Sequence, residues 1–165
     1  MGRDIKFSSV GNDLTGDFFD DLPYITDARQ IDKIILHCSA SPQGRGDDAK
    51  TIDRWHKDRW GSGIGYHYIV LEDGTIQKGR WVDTAGAHAK GFNKQTIGVC
   101  RIGGHNGKMD ITEEQKKSMV QICEVLMEGY DLQRNNILGH GELPNTNKTC
   151  PLMDMSGFRR LISLS

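Results

Sequence analysis

The chain has 165 residues, 36% of them hydrophobic and 26% charged. It is long enough for one compact domain with a buried core, since domains typically contain about 100–200 residues. Its 21 basic and 22 acidic residues leave a net charge of −1, so there is no basic excess to indicate nucleic acid as a partner. No stretch approaches the ~18 consecutive apolar residues of a membrane helix. We therefore expect a monomer that binds neither nucleic acid nor a membrane.

The first 30 residues differ in character from the rest of the chain. They contain six aspartates and a small apolar cluster of Phe18, Phe19 and Leu22, but they are too few to form a core of their own. We interpret residues 1–30 as an N-terminal arm of unknown role and residues 31–165 as the folded domain. The N-terminus lacks the apolar region of a secretory signal, so we expect the chain to be cytoplasmic as synthesised.

Three elements are predicted in the first half of the domain. The run "KIILHC", Lys33–Cys38, is typical of a buried strand. After a loop rich in Ser, Pro and Gly, Asp47 or Asp48 can cap a helix that extends to about Asp58. The stretch "YHYIVLEDGTIQKGR" predicts a hairpin around Asp73-Gly74, because Asp-Gly is a favoured tight-turn pair.

The longest predicted helix spans Glu113–Glu128. Thr112 is its expected N-cap, and Gln115 occupies the position at which a capping box has Glu or Gln. Apolar residues recur on one face of this helix. Gly129 is the expected end of the helix.

Three further elements complete the predicted fold. "TIGVCRIG", Thr96–Gly103, has the pattern of a central strand, and "NNILGH" that of a short strand. Residues 154–162 predict a closing helix with Phe158, Leu161 and Ile162 directed inward. The order of the elements predicts a single α/β domain in which a mixed central sheet is flanked by helices.

Six histidines and four cysteines are the candidate metal ligands. A catalytic zinc ion takes three protein ligands and leaves one position for water, and imidazole and thiolate are both strong donors to it. His37 ends the first predicted strand beside a loop. His140 ends the last strand, and Cys150 precedes Pro151 in the loop "HGELPNTNKTCP". A His–His–Cys site is therefore plausible by residue type.

These residue types also have structural interpretations. A histidine at the end of a strand is commonly a hydrogen-bonded structural residue. Cys38 follows His37 on a strand and should point to the opposite face, so the two are not expected to bind one ion. Cys100 and Cys123 lie in apolar segments and are predicted to be buried small hydrophobes. His56 is predicted to lie on the surface of its helix.

Four blocks of the sequence, in this order, carry a resemblance to a known family. They are "IILHCSAS", "GIGYHYIVLEDGTIQKGR", "GAHAKGFNKQTIGVC" and "LGHGELPNTNKTCP". Together they resemble the zinc N-acetylmuramoyl-L-alanine amidases of the phage lysozyme type, a family that shares its fold with the peptidoglycan recognition proteins. The resemblance covers roughly residues 33–160 and implies that fold.

The resemblance also implies the roles of individual residues. The metal ligands of the family match His37, His140 and Cys150, which would hold one Zn²⁺ per chain. Its catalytic tyrosine matches Tyr66 and its catalytic lysine matches Lys148. Three further positions match residues that line the substrate groove, namely His67, His88 and Lys90.

The implied function is hydrolysis of bacterial peptidoglycan at the amide between the lactyl group of N-acetylmuramic acid and L-alanine, after release of the enzyme to the cell wall. One alternative is a non-catalytic peptidoglycan-binding module of the same fold. A second is a papain-like endopeptidase that uses Cys38 or Cys150 as nucleophile. Glu142 has two interpretations, as the partner of a ligand histidine or as a member of a surface salt bridge.

Overall fold

The computed structural model describes residues 7–8, by their backbone alone, and residues 24–162. The predicted apolar cluster of Phe18, Phe19 and Leu22 lies outside the described residues. The strands are β1 (Phe7–Ser8), β2 (Lys33–Cys38), β3 (Tyr68–Val70), β4 (Ile76–Lys78), β5 (Thr96–Arg101) and β6 (Ile137–Gly139). The helices are α1 (Ala49–Trp60), α2 (Glu113–Tyr130) and α3 (Met155–Leu161). Four short 3₁₀ turns occupy Asn93–Gln95, His105–Gly107, Arg134–Asn136 and His140–Glu142.

One mixed sheet forms the centre of the domain, with the strand order β1-β4-β3-β5-β2-β6. Strands β3 and β4 form the predicted hairpin and pair antiparallel. The other neighbouring strands pair parallel. The predicted α/β domain with a mixed sheet flanked by helices is confirmed.

The two long helices begin where the sequence predicts. Asp48 accepts a hydrogen bond from the Thr51 N–H at the start of α1. Thr112 and Gln115 form the predicted capping box at the start of α2. Both caps satisfy backbone N–H groups that have no partner within the helix.

Two predictions about helix ends and faces were wrong. Gly129 does not end α2, which continues to Tyr130 and is closed by Asp131 in a left-handed conformation. A Cβ atom at Gly129 would lie 2.4 Å from the Ile25 side chain, so this glycine makes room for the segment that precedes β2. Leu161 is not directed inward but is 53% exposed, because the core side of α3 is formed by Met155 and Phe158.

The core lies on both faces of the sheet. On one face, alternate residues of β2 pack with the apolar sides of α2 and α3, including Ile34, Leu36 and Phe158. On the other face, Ala49 and Ile52 of α1 are buried with residues of β3 and β5. The sheet is therefore fixed from both sides, and its strand ends form a rigid edge.

The segment just before β2 packs against the domain. Ile25 contacts the larger core cluster, and the Thr26 N–H donates to the Tyr130 hydroxyl over 3.0 Å. The Arg29 guanidinium donates to the carbonyl oxygens of Val82, over 2.8 Å, and Thr96, over 3.0 Å. Across the described part of the chain, no helix is both long and apolar enough to cross a membrane.

Candidate active site

The carboxyl ends of two neighbouring parallel strands bring the two predicted ligand histidines together. Leu36 of β2 pairs with Gly139 of β6, so His37 and His140 each follow one member of this pair. Their ring centroids are 4.6 Å apart. Because residues that follow paired positions of parallel strands lie side by side, two side chains separated by about a hundred positions meet at one edge of the sheet.

Cys150 approaches the same edge from the loop that follows β6. The Gly141 N–H donates to the Cys150 carbonyl oxygen over 2.9 Å. The Cys150 sulfur lies 2.8 Å from the sulfur of Cys38. The hydrogen bond from the Cys38 thiol lowers the pKa of Cys150, so within this pair the thiolate form is favoured at Cys150. Cys38, which was not expected to share an ion with His37, therefore contacts the third predicted ligand directly.

Tyr66 lies immediately before β3 and faces His37, with 4.9 Å between the ring centroids. The side chain is half-buried. Burial raises the pKa of its phenol well above 10, and the neighbouring thiols of Cys100 and Cys150 raise it further. The phenol is therefore protonated at neutral pH and can donate a hydrogen bond.

A cleft of about 1190 Å³ opens over these residues. The three predicted ligands, His37, His140 and Cys150, line the cleft together with Tyr66. Lys148 is an exposed residue of the same wall, and its positive charge lowers the pKa of His140, after the larger effect of burial. The structure thus brings both predicted catalytic residues to the predicted ligands.

His88 and Lys90, on the turn between β4 and β5, form another part of the wall of the cleft. The Asn93 side chain fixes this turn by accepting hydrogen bonds from the His88 and Ala89 N–H groups, each over 2.9 Å. The Nδ1 atom of His88 lies 2.8 Å from Nε2 of His37. His88 therefore contacts a predicted ligand directly, which the sequence did not indicate.

His67 lies behind this wall rather than on it. The residue is 1% exposed. Its Nδ1 accepts the Gly98 N–H over 3.0 Å, and its Nε2 lies 3.0 Å from the Thr84 carbonyl oxygen. Both ring nitrogens are thus engaged by backbone groups, so in this structure His67 supports the wall and does not face the cleft.

Comparisons with known proteins identify the family of this chain. The family model described as N-acetylmuramoyl-L-alanine amidase matches residues 27–152. The endolysin of Escherichia phage T7 is 35% identical over 128 residues, which cover 75% of this chain and 82% of the phage protein. The chain belongs to the N-acetylmuramoyl-L-alanine amidase family.

Solved structures share the fold of this amidase. The N-acetylmuramoyl-L-alanine amidase LysC from Clostridium intestinale URNW matches with a TM-score of 0.75 and 23% identity, over 97% of this chain and 99% of that chain. The complex of the peptidoglycan recognition proteins LCa and LCx with tracheal cytotoxin matches with a TM-score of 0.62 and 26% identity, over 76% and 79% of the two chains. The predicted fold family and the predicted enzyme class, a peptidoglycan amide hydrolase, are confirmed.

The donor set of the amidase suits a zinc ion chemically. Burial lowers the pKa of His37 well below 6.5, and the nearby imidazoles of His88 and His140 lower it further. Burial also lowers the pKa of His140. Both imidazoles are therefore neutral at pH 7, the form that binds metal, and the Cys150 thiol is biased toward the thiolate.

Two of the three predicted ligands turn their donor atoms toward other side chains. Nε2 of His37 faces His88, and the Cys150 sulfur faces Cys38. As a result, among residues 7–8 and 24–162, no three His, Cys, Asp or Glu side chains converge closely enough to hold a metal ion.

Three other side chains near the site differ from expectation or were not anticipated. His56 is not a surface residue: it is 9% exposed, and its Nδ1 accepts the Gly65 N–H over 2.9 Å. Of the two interpretations of Glu142, the structure has the salt bridge, since both of its oxygens lie 2.8 Å from the Arg159 guanidinium. Arg101 is fully buried in β5, and the only sequence signal for it is a charged residue inside the apolar run "TIGVCRIG".

Proposed function

We propose that this amidase cleaves the bond between the lactyl group of N-acetylmuramic acid and L-alanine with one zinc ion held by His37, His140 and Cys150. The observation that carries the proposal is the side-by-side placement of His37 and His140, whose ring centroids are 4.6 Å apart. Both line a cleft that is also lined by Tyr66, Lys148 and Cys150. Neutral imidazoles and a thiolate are good zinc ligands. When bound, zinc lowers the pKa of a water molecule to near 7 and polarises the scissile carbonyl group.

The residues of the chain itself supply the remaining requirements of amide hydrolysis. The Lys148 ammonium stabilises the negative charge that develops on the carbonyl oxygen as water attacks. The Tyr66 phenol, which is protonated at neutral pH, donates a hydrogen bond to the attacking water or to the same oxygen and helps to place a proton. The two groups come from different parts of the chain, Lys148 from the loop after β6 and Tyr66 from the segment before β3.

The walls of the cleft suit an anionic peptidoglycan stem. The charged residues that line it are Arg59, Lys90 and Lys148 against the single carboxylate of Asp58, although the whole chain has a net charge of −1. The carboxylates of a stem peptide are attracted to such a surface. We therefore assign Lys90 and His88 to binding of the substrate rather than to the chemical step.

Cysteine variants test the metal assignment, because Cys38 provides a matched control for Cys150. The purified wild type, Cys150→Ser and Cys38→Ser proteins are compared for bound zinc and for release of dye from labelled peptidoglycan sacculi. Cys150→Ser should lose both zinc and activity while keeping the fold seen by circular dichroism. Cys38→Ser should keep its zinc. Chelation should inactivate the wild type, and added zinc should restore it.

Three results of this experiment would contradict the proposal in different ways. Full turnover by metal-free protein would remove zinc from the mechanism. Sedimentation with sacculi without release of stem peptides, in protein shown to contain zinc, would indicate a binding module in place of an enzyme. Activity retained in Cys150→Ser with a full complement of zinc would remove Cys150 alone from the ligand set.

A further inference from the structure

Arg101 is a buried charge whose contacts lie mainly on the backbone beside a proposed metal ligand. It is the largest fully buried side chain in the described part of the chain, with 0% exposure. A buried guanidinium is costly unless nearly all of its N–H groups find acceptors. The positions of those acceptors therefore show which parts of the backbone the guanidinium holds in place.

Three of the four hydrogen bonds of this guanidinium go to backbone carbonyl oxygens. Nε donates to Pro151 over 3.1 Å and Nη2 donates to Leu152 over 3.4 Å. Nη2 also donates to the Lys108 carbonyl over 3.4 Å. Pro151 and Leu152 are the two residues that follow Cys150, so one rigid planar group binds both carbonyls next to the thiol.

The fourth hydrogen bond fixes the guanidinium itself. Nη1 donates to Oδ1 of Asp110 over 2.7 Å, and the same oxygen accepts the Gly104 N–H over 2.9 Å. A Cβ atom at Gly103 would lie 2.2 Å from Nη1. The loop after β5 therefore leaves space that only glycine provides, and the guanidinium is enclosed on that side.

The backbone that Arg101 holds is one that does not form readily by itself. Leu152 has a φ of +60°, in the left-handed region that residues with a branched side chain rarely adopt. Such a conformation persists only when its surroundings fix it. The opposite side of the loop is held by the Gly141 N–H, which donates to the Cys150 carbonyl over 2.9 Å.

We propose that Arg101 is a positioning residue for the metal site. Its buried guanidinium fixes the Pro151 and Leu152 carbonyls and so limits the positions that the neighbouring Cys150 thiol can take at the edge of the sheet where His37 and His140 lie. Arg101 also pairs with Cys38 in the register of β2 with β5. One residue of β5 therefore lies next to both Cys38 and the backbone that follows Cys150. This inference rests on the proposed zinc ligand set.

Four variants separate positioning from stability. Arg101→Met keeps the length of the side chain but removes every donor. Arg101→Lys keeps the charge near Asp110 but cannot reach three carbonyls in one plane. Asp110→Asn is the matched control, because it removes the ion pair yet keeps an acceptor oxygen for Nη1. Cys150→Ser marks the loss of the thiolate ligand.

The measurements are zinc affinity by competition with a chelator and the thiolate-to-cobalt charge-transfer band of the Co²⁺-substituted full chain. Arg101→Met should lower zinc affinity about 10- to 100-fold, the range for loss of a group that orients a ligand, and should weaken or shift the band. Arg101→Lys should fall between Arg101→Met and the wild type. Asp110→Asn should be less stable but should keep the wild-type band and affinity. For activity on sacculi, kcat should fall in Arg101→Met while KM stays near that of the wild type.

The inference is overturned if folded Arg101→Met, or Arg101→Lys where the first variant does not fold, has the wild-type band and zinc affinity. It is also overturned if Asp110→Asn loses as much zinc affinity as Arg101→Met, since the effect would then follow stability. A wild-type chain that takes up cobalt without a thiolate band identifies a failure of the Cys150 assignment itself, and Cys150→Ser supplies the reference spectrum for that case.

Discussion

Single residues of the site owe their chemical state to burial. His37, His88 and His140 all have pKa values below that of a free histidine, with desolvation as the largest cause in each. The same effect raises the pKa of Tyr66. The cleft therefore combines neutral imidazoles and a protonated phenol with the exposed ammonium group of Lys148, a combination suited to binding a metal and stabilising an oxyanion.

The role of Lys148 leads to a prediction at this scale. Replacing Lys148 with alanine should reduce kcat on peptidoglycan about 10²- to 10³-fold, the usual effect of losing one group that stabilises the oxyanion. The free energy of unfolding should hardly change, because the side chain is exposed. Steady-state kinetics on solubilised muramyl peptides measures this effect.

Lys90→Ala provides the comparison for Lys148→Ala. Lys90 is also an exposed lysine of the cleft, but it lies on the wall assigned to substrate binding. Its loss should raise KM several-fold and leave kcat nearly unchanged. If the two lysine variants have the same kinetic profile, the distinction between an oxyanion role and a binding role is wrong.

Secondary-structure elements act here as supports for loops that carry the chemistry. Parallel β2 and β6 present His37 and His140, whereas the wall with His88 depends on a turn between β4 and β5. The Arg29 guanidinium connects both ends of that wall, through the carbonyls of Val82 and Thr96. The short segment before β2 therefore contributes to the order of the cleft although it does not line it.

Replacement of Arg29 by methionine tests this connection. The loss of several hydrogen bonds from a partly buried charged group should lower the free energy of unfolding by about 2 kcal/mol. Hydrogen exchange should rise in residues 82–96 more than in β2 or α2. Arg54→Met, which removes an exposed arginine of α1, should leave both quantities unchanged, and equal effects of the two variants would contradict the prediction.

The stability of the whole molecule includes a contribution from the ion pair between the buried guanidinium of Arg101 and the partly exposed carboxylate of Asp110. Burial acts to raise the pKa of Asp110, but the hydrogen bonds from Arg101 and from the Gly104 N–H outweigh it and the net pKa is lowered. A carboxyl group whose pKa is lower in the folded chain adds stability above its unfolded pKa, and this stability is lost as pH falls through the folded value.

The sign of this shift gives a prediction about acid stability. At pH 6–7 the Asp110→Asn variant should be less stable than the wild type by about 1–2 kcal/mol, a magnitude reduced by the partial exposure of the carboxylate. The difference should narrow below about pH 4, where the carboxyl group begins to take up protons in the unfolded chain. Urea unfolding at pH 7, 5 and 3 measures it. A difference that stays constant down to pH 3 would contradict the assignment to this ion pair.

The sequence alone determined the order and type of the strands and helices from β2 to α3, the cap of α2, the hairpin and the blocks that carry the family resemblance. These features are local, because caps, turns and alternating apolar residues depend on neighbours within a few positions. The same locality explains the errors at Gly129, Leu161 and His56. Each of these residues is defined by what packs against it from a distant part of the chain.

The tertiary structure alone decided which of the selected side chains meet. Parallel pairing of β2 with β6 placed His37 beside His140, and the fold placed Cys38 against Cys150 and His88 against His37. The fold also buries His67 behind the wall of the cleft. It brings the guanidinium of Arg101 to the backbone carbonyls that accept its hydrogen bonds. Such contacts depend on strand register and loop path, which join positions about a hundred residues apart and leave no periodic pattern in the sequence.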